Sequence, residues 1–125
     1  MKLLLDTQIL LWLMQDAPQL GPAARRLIEE AQSVHVSSVS LWEVAIKRSL
    51  GKLRLDPVAL YQHLAASAMQ PLDMSWAHAR QLRALPPHHG DPFDRMLVAQ
   101  AMAEPLQLLT HDAALAAYSE LVILV

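Results

Sequence analysis

Four acidic residues stand where their carboxylates could meet: Asp6, Glu43, Asp94 and Asp112. Asp6 and Asp112 follow apolar stretches that are typical of buried strands, and each of the four stands where an apolar segment with helical spacing begins. The carboxyl ends of parallel strands share one edge of a sheet, and ligands bind in the crevice at that edge. The four carboxylates are therefore predicted to converge on one pocket.

Converging carboxylates predict both a cation and a reaction. Unpaired, they would repel one another strongly at low dielectric, so the group persists only with something cationic among them. The chain has no cysteine, and oxygen ligands suit the hard ions Mg²⁺ or Mn²⁺. Such ions held by carboxylates promote in-line displacement at phosphorus. The four acids are thus the candidate catalytic and metal-binding residues of a phosphate-ester hydrolase.

Each acid also has a structural explanation when it is taken alone. The aspartates that stand just before predicted helices, where a carboxylate caps free backbone N–H groups, are Asp6, Asp91 and Asp112. Ser40 and Glu43 have the spacing of a capping box. Asp94 would lie in a first helical turn, where the helix dipole favours an acid. The joint pattern, rather than any single acid, favours a shared site.

Other polar residues near the acids have less certain roles. Thr7 and Thr110 adjoin two of the acids and could orient them or a bound water. Asp91, three residues before Asp94, could face the same pocket. A further pair, which could be ligands but whose Pro/Gly loop favours exposure, is His88 and His89.

A basic segment could contact a phosphate backbone. It contains Lys47, Arg48, Lys52 and Arg54, which could position a nucleic-acid backbone through contacts that do not depend on sequence. The alternative interpretation is a solvated helix face. The formal net charge of −2 gives no attraction of the whole molecule to nucleic acid.

The elements that must position these residues alternate along the chain. Strands are predicted at about residues 3–5, 34–37, 70–73, 106–110 and 121–125. Helices between them include segments from Ser40 to Gly51, from Val58 to about Met69 and from Trp76 to Leu85. The alternation implies a mostly parallel five-stranded sheet covered on both faces, a three-layer α/β/α sandwich. The residues predicted as core because they recur in apolar helices are Trp12, Trp42 and Trp76.

Length and composition limit the class of protein. A chain of 125 residues predicts a single domain, 1–125, without a linker. The hydrophobic fraction of 54% suggests apolar surface that a partner or a second copy covers. No apolar run is long enough to span a membrane, and Asp6, Thr7 and Gln8 interrupt the N-terminal run that a signal peptide would need. A cytoplasmic protein is expected.

At these residues the sequence resembles the PIN domain family, specifically the VapC-like toxins of bacterial type II toxin–antitoxin systems. The matching stretches are Leu3 to Thr7 with Leu10 to Trp12, Ser37 to Lys47, His89 to Ala101 and Leu109 to Asp112. They occur in family order and spacing across almost the whole chain and are jointly specific.

The resemblance implies a Mg²⁺- or Mn²⁺-dependent ribonuclease, a homodimer, and a cognate antitoxin whose tail covers the site. Carried over by position, the acids are Asp6, Glu43, Asp94 and Asp112, the last being the least constant in the family. Gln8 stands where this subgroup often has His, and Asp91 belongs to the motif without being a usual metal ligand. The alternatives are a phosphatase or DNA nuclease using the same acids, and a PIN-fold binding module without turnover.

Overall fold

The first strand, β1 (Lys2–Leu5), lies at the centre of the sheet in the computed structural model, which describes residues 1–125. The other strands are β2 (Ser33–Ser37), β3 (Gln70–Leu72), β4 (Gln107–Thr110) and β5 (Val122–Leu124). Their order is β3-β2-β1-β4-β5, and every neighbouring pair is parallel. The predicted five-stranded sheet is confirmed and is parallel throughout.

Two α-helices lie between each of the first three pairs of consecutive strands. The α-helices are α1 (Thr7–Met14), α2 (Pro22–Glu30), α3 (Ser38–Ser49), α4 (Pro57–Ala66), α5 (Trp76–Leu82) and α6 (Pro92–Ala103), and a 3₁₀ helix (Ala113–Ala117) precedes β5. Not one of these helices combines the length and the apolar character needed to cross a lipid bilayer.

Alternation of side chains along β1 divides the core between the two faces of the sheet. Leu3 and Leu5 pack with apolar residues of α1, α2, α3 and α4 on one face, while Leu4 packs with α6 on the other. All three leucines are fully buried, and burying each one contributes on the order of 2 kcal/mol. The central strand therefore joins both helical layers, which confirms the three-layer α/β/α sandwich.

The capping-box prediction at Ser40 is wrong. α3 begins at Ser38, and the hydroxyl of Ser37 accepts the backbone N–H of Val39 at 3.0 Å. Ser40 is buried, and its Oγ lies 2.9 Å from Oγ1 of Thr7 in α1. Because the helix follows β2 without a loop, the serine at the end of the strand is the cap, and Glu43 lies in the second turn.

Two predicted helices end earlier than expected. α4 ends at Ala66 rather than near Met69, because Ser67 donates a hydrogen bond to the carbonyl of Leu64 and accepts the N–H of Met69. α5 ends at Leu82, and Leu85 lies beyond it as a buried residue of the second core.

Two of the three tryptophans lie outside the core, contrary to prediction. Trp76 is 94% exposed and Trp42 is 51% exposed. Trp42 stands on a face of α3 where its ring meets Phe93, with centroids 4.8 Å apart, and Trp76 is the first residue of α5. Trp12 is half-buried and packs edge-on against His111. Apolar periodicity could not separate a core face from an uncovered one.

Candidate active site

Asp6 lies where β1 ends and α1 begins. Its Oδ1 accepts the backbone N–H of Ile9 at 2.8 Å and so caps α1. Its Oδ2 accepts the hydroxyl of Thr110 from the end of β4. The backbone N–H of Asp6 donates to Leu109 at 3.1 Å, so strand pairing itself brings the two strand ends together.

Glu43 reaches the same pocket from α3. The side chain is buried, and its Oε2 lies 2.6 Å from Nζ of Lys47, one helical turn further on. Its Oε1 is buried without a hydrogen-bond partner. A buried acceptor without a partner costs on the order of 1–3 kcal/mol. This oxygen is therefore available to a ligand.

One histidine, His89, lies beside two of the acids. These are Asp94, in the first turn of α6, and Asp112, which follows β4. Nε2 of His89 lies 3.1 Å from Oδ2 of Asp94 and 3.3 Å from Oδ2 of Asp112. One ligand atom from each of the three residues lies within 4.8 Å of the others. His89 is thus a member of the site. The sequence had favoured exposure for this residue because it lies in a Pro/Gly loop.

His89 is held in place by a distant residue. The hydroxyl of Tyr118 accepts its backbone N–H at 2.8 Å, and the His89 side chain is only 26% exposed. His88 is exposed, as predicted. The proximity of His89 to Gly90-Asp91, at the start of a matching stretch, was the available signal.

The four acids line one pocket of about 290 Å³. The other residues that line it are Thr7, Gln8, Leu11, Trp12, Lys47, Asp91 and His111. The structure therefore brings together every acid that the sequence placed at this edge. His111, which the sequence argument did not single out, joins them through its position beside Asp112.

Burial and mutual repulsion perturb two of the carboxyl groups. Burial raises the pKa of Asp6, and repulsion from Glu43 and Asp112 adds to the effect. Burial is also the main reason that the pKa of Asp94 is raised to about 6, with repulsion from Asp91 second. Both groups retain protons more strongly than ordinary aspartates, because their charged forms lack sufficient compensation.

The three supporting residues make different contacts. Thr110 donates to Asp6, and its hydroxyl also accepts the backbone N–H of Asp112 at 3.0 Å, so it links two acids. Asp91 caps α6 by accepting the N–H groups of Phe93 and Asp94 at 2.9 and 3.2 Å. Its capping role is confirmed, and the residue also lines the pocket. Thr7 contacts Ser40 rather than an acid.

The four residues of the predicted basic segment lie in different environments. Lys47 lines the pocket, where its hydrogen bond to Glu43 raises its pKa and keeps it positively charged. Nη1 of Arg48 pairs with Oδ1 of Asp56 at 2.9 Å, away from the pocket. Lys52 and Arg54 are exposed.

The donor set fits a hard divalent cation. Most of the potential ligands are carboxylate oxygens, and one of them, Oε1 of Glu43, is buried without a protein partner. A cation among these groups would offset the burial and the repulsion that together raise the pKa of Asp6 and Asp94. The residues that could hold it are Asp6, Glu43, Asp94 and Asp112, with His89 beside the last two.

A known ribonuclease is similar in sequence. Ribonuclease VapC22 from Mycobacterium tuberculosis (strain ATCC 25618 / H37Rv) is 29% identical over 111 residues, covering 87% of this chain and 85% of that protein.

Solved structures of VapBC proteins share the fold. VapBC2 from Rickettsia felis, bound to a DNA fragment from its promoter, has a TM-score of 0.73 at 18% identity, over 100% of this chain and 98% of that chain. DNA-bound VapBC from Salmonella typhimurium has a TM-score of 0.70 at 18% identity, over 100% of this chain and 97% of that chain.

A family model adds evidence that does not depend on these pairwise similarities. The model described as the PIN domain matches residues 3–121. This range contains β1 apart from Lys2, the four acids and every later element up to the 3₁₀ helix, and it ends one residue before β5. Because the match spans nearly the whole chain, the protein belongs to the PIN domain family.

Proposed function

We propose that this protein is the toxin of a type II toxin–antitoxin system and that it acts as a metal-dependent endoribonuclease. The observation that carries the proposal is the convergence of Asp6, Glu43, Asp94 and Asp112 on one pocket with a buried, unpartnered carboxylate oxygen. Membership of the PIN domain family and the similarity to a ribonuclease support it.

We assign Mg²⁺ or Mn²⁺ to the four acids, because hard ions match a site rich in carboxylate oxygens. When bound, such a cation supplies Lewis-acid stabilisation of charge at the scissile phosphate. In the proposed reaction water adds to phosphorus, the bond to the leaving ribose oxygen breaks, and that oxygen takes a proton.

The protein's own residues fix the orientation of the acids. Thr110 and the N–H of Ile9 each hold one oxygen of Asp6. Asp91 caps α6, which holds the backbone of Asp94 in the first turn. These hydrogen bonds preorganise the site, so that little reorganisation is needed during reaction.

Lys47 is the proposed contact for the phosphodiester. Its ammonium group lies at the wall of the pocket and is half-exposed, so it can reach a phosphate oxygen while it stays near Glu43. A charge-assisted contact of this kind positions RNA without reading its sequence. Arg48, Lys52 and Arg54 lie on the surface and would extend the contact along the backbone.

The proposed partners are a cognate antitoxin and a second copy of the chain. A structure from Klebsiella pneumoniae that shares the fold is a toxin–antitoxin complex, which supports the antitoxin. Cellular RNA as substrate implies a site of action in the cytoplasm.

An uncovered apolar surface supports the homodimer. Its exposed members are Trp42, Val58, Tyr61, Met74 and Trp76. The N–H of Met74 donates to Oγ of Ser38 at 3.0 Å, which places the start of α5 against the same end of α3 that carries Trp42. We call these five residues the apolar surface.

Incubation with total RNA tests the proposal. Purified protein with Mg²⁺ or Mn²⁺ should cut RNA at defined positions, which end mapping identifies, and chelation should stop the cutting. Asp94→Asn should be inactive, whereas Asp73→Asn, a matched change at an exposed aspartate outside the pocket, should cut normally.

The alternatives give different outcomes in the same assay. Cleavage of DNA but not RNA would assign a DNA nuclease, and release of phosphate from monoesters alone would assign a phosphatase. A folded protein that cleaves nothing with either cation would favour a binding module.

A further inference from the structure

We infer that His89 is a nitrogen ligand of the divalent cation and that it gives the site a preference for Mn²⁺ over Mg²⁺. The inference rests on the proposed metal site and adds to its four acids a ligand of different chemistry. It assigns a function to a residue that lies outside the carboxylate set.

The position of the ring carries the first part of the inference. Nε2 of His89 faces Oδ2 of both Asp94 and Asp112, at 3.1 and 3.3 Å. Neighbouring ligand atoms around a small octahedral cation are about 3 Å apart, given bond lengths of about 2.1 Å. Nε2 therefore already lies at the spacing of a neighbouring ligand from each carboxylate, and one ligand atom from each of the three residues lies within 4.8 Å of the others.

A separate observation in the same pocket, at Glu43, also supports a bound cation. Glu43 lines the pocket with Asp94 and Asp112, is 4% exposed, and leaves Oε1 without a hydrogen-bond partner. Native proteins rarely leave a buried carboxylate oxygen unsatisfied. A cation shared by this side of the pocket would satisfy it.

Groups outside the site hold His89 in this position. The hydroxyl of Tyr118 accepts the backbone N–H of His89 and donates to its carbonyl, at 2.8 and 3.4 Å. The ring of His88 also packs against Tyr118, with centroids 5.1 Å apart. Two prolines, Pro86 and Pro87, restrict the preceding backbone. The loop is thus anchored before any cation binds.

The identity of the donor atom carries the second part. Imidazole nitrogen is a good ligand for first-row transition ions, whereas Mg²⁺ prefers oxygen ligands and gives up its water reluctantly. A site made only of carboxylates would bind either ion. Replacing one oxygen donor by Nε2 of His89 raises the relative affinity for Mn²⁺.

Pulsed electron paramagnetic resonance of the Mn²⁺-loaded protein detects the nitrogen directly. Wild type should show electron spin-echo modulation from a directly coordinated imidazole nitrogen. His89→Gln should lose this modulation. Two control variants should retain it: His88→Gln, at the neighbouring exposed histidine, and His111→Gln, at the histidine that lines the pocket.

Calorimetric titration with each cation gives a second readout. Removal of the imidazole should weaken Mn²⁺ binding by about tenfold or more and should change Mg²⁺ binding less, so the preference for Mn²⁺ falls. A nitrogen signal that persists in His89→Gln, or an unchanged ratio of affinities, would overturn the inference.

The two proposals can fail separately. If Asp94→Asn abolishes cation binding but His89→Gln leaves the spectrum and the affinity ratio unaltered, the carboxylate site stands and the role of His89 is wrong. If wild type binds neither cation at millimolar concentration, both proposals are wrong.

Discussion

Asp6 and Asp112 each use Oδ1 to accept a backbone N–H at the start of a helix. Their Oδ2 atoms are directed to the site, where one accepts from Thr110 and the other faces His89. Capping and chemistry are therefore compatible in these two residues. Asp94 makes no capping hydrogen bond, so its contribution to the site can be measured apart from helix stability.

Asp94→Asn should separate the metal response from folding. Without metal the variant should be as stable as wild type or more so, because it removes a partly buried charge and its repulsion with Asp91 and Glu43. Millimolar Mg²⁺ or Mn²⁺ should stabilise wild type by about 1–3 kcal/mol and the variant by little. Thermal melts with and without Mn²⁺ measure both effects, and equal metal-induced shifts would contradict the metal site.

Asp6→Asn should show the same loss of metal response. Its effect on the free energy of unfolding is harder to interpret, because the substitution also changes a hydrogen bond. An asparagine can cap α1, but an amide group at the position of Oδ2 could not accept from Thr110. Asp94→Asn is therefore the cleaner variant.

Stability without metal should depend on pH through Asp94. Its pKa is about 6 when folded against 3.8 in the reference state, so the folded state binds the proton more tightly. The stability from this group is complete below pH 3.8 and is lost as the pH rises to about 6. At neutral pH the loss is on the order of 2–3 kcal/mol.

Urea unfolding at about pH 4 and about pH 7, in chelator, tests this sign. Asp6 acts in the same direction as Asp94, while burial lowers the pKa of His35, which acts in the opposite direction. The difference in unfolding free energy between wild type and Asp94→Asn isolates Asp94 and should favour the variant more at the higher pH. Parallel pH profiles for the two proteins would be inconsistent with the raised pKa.

Lys47→Met should destabilise the metal-free protein by about 1 kcal/mol, because Glu43 loses its only partner while Lys47 itself is half-exposed. The metal-induced stabilisation should increase, since Glu43 no longer pairs with an ammonium group. RNA affinity should fall. Arg48→Met, which breaks a surface pair with Asp56, is the matched control for chemical denaturation with and without Mn²⁺. Equal effects of the two changes would argue against a special role for Lys47.

At the scale of elements, local signals decided which predictions succeeded. β1 and α6 were predicted because a run of leucines and an Asp-Pro start are each sufficient in themselves. The start of α3 was not, because Ser37, Ser38 and Ser40 all resemble caps. Ser37, the residue that caps it, also donates to the distant Gln100.

The site residues differ in the same way: those with a local signal were predicted, and His89 was not. The acids were predicted because their positions at strand ends and in the matching stretches are visible in sequence. The position of His89 depends on a hydrogen bond to Tyr118, which lies on a different element. Sequence spacing carries no information about such a contact.

A buried polar chain joins these elements. Oγ of Ser37 donates to Oε1 of Gln100 at 2.6 Å, and Nε2 of Gln100 lies 3.3 Å from Nδ1 of His78. Nδ1 also accepts the N–H of Ser75, so Nε2 of His78 carries the proton and donates to Glu104. The chain connects β2, α5 and α6, the helix that carries Asp94 in its first turn.

Gln100→Leu should destabilise the protein by about 2–3 kcal/mol, because it leaves Ser37 without an acceptor in a fully buried position. The metal-induced shift should stay as in wild type. The double variant Ser37→Ala/Gln100→Leu should recover part of the loss, since both partners are then gone, although the cap on Val39 is lost as well. Urea unfolding of wild type, the single variants Ser37→Ala and Gln100→Leu, and the double variant gives the coupling. Strictly additive losses would show that the contact is energetically unimportant.

At the scale of the whole molecule, the two cores cover both faces of the sheet but not every helix. The apolar surface remains open on α3, α4 and the start of α5. Groups of exposed, large apolar side chains mark interaction sites. The high hydrophobic content that the sequence shows is therefore explained only in part by the interior.

Light scattering at micromolar concentration should find a homodimer that depends on the apolar surface. Trp76→Lys should shift the protein toward monomer, because a buried charge at a dimer interface lacks a partner, and Trp42→Lys should act in the same direction. Leu124→Lys is the matched control: Leu124 is 48% exposed on the edge strand β5, outside the apolar surface, and its change should leave the mass unaltered. Near-native circular dichroism in all three variants would exclude unfolding as the cause. A wild-type protein that remains monomeric would refute the dimer, and a dimer disrupted only by Leu124→Lys would place its interface along β5.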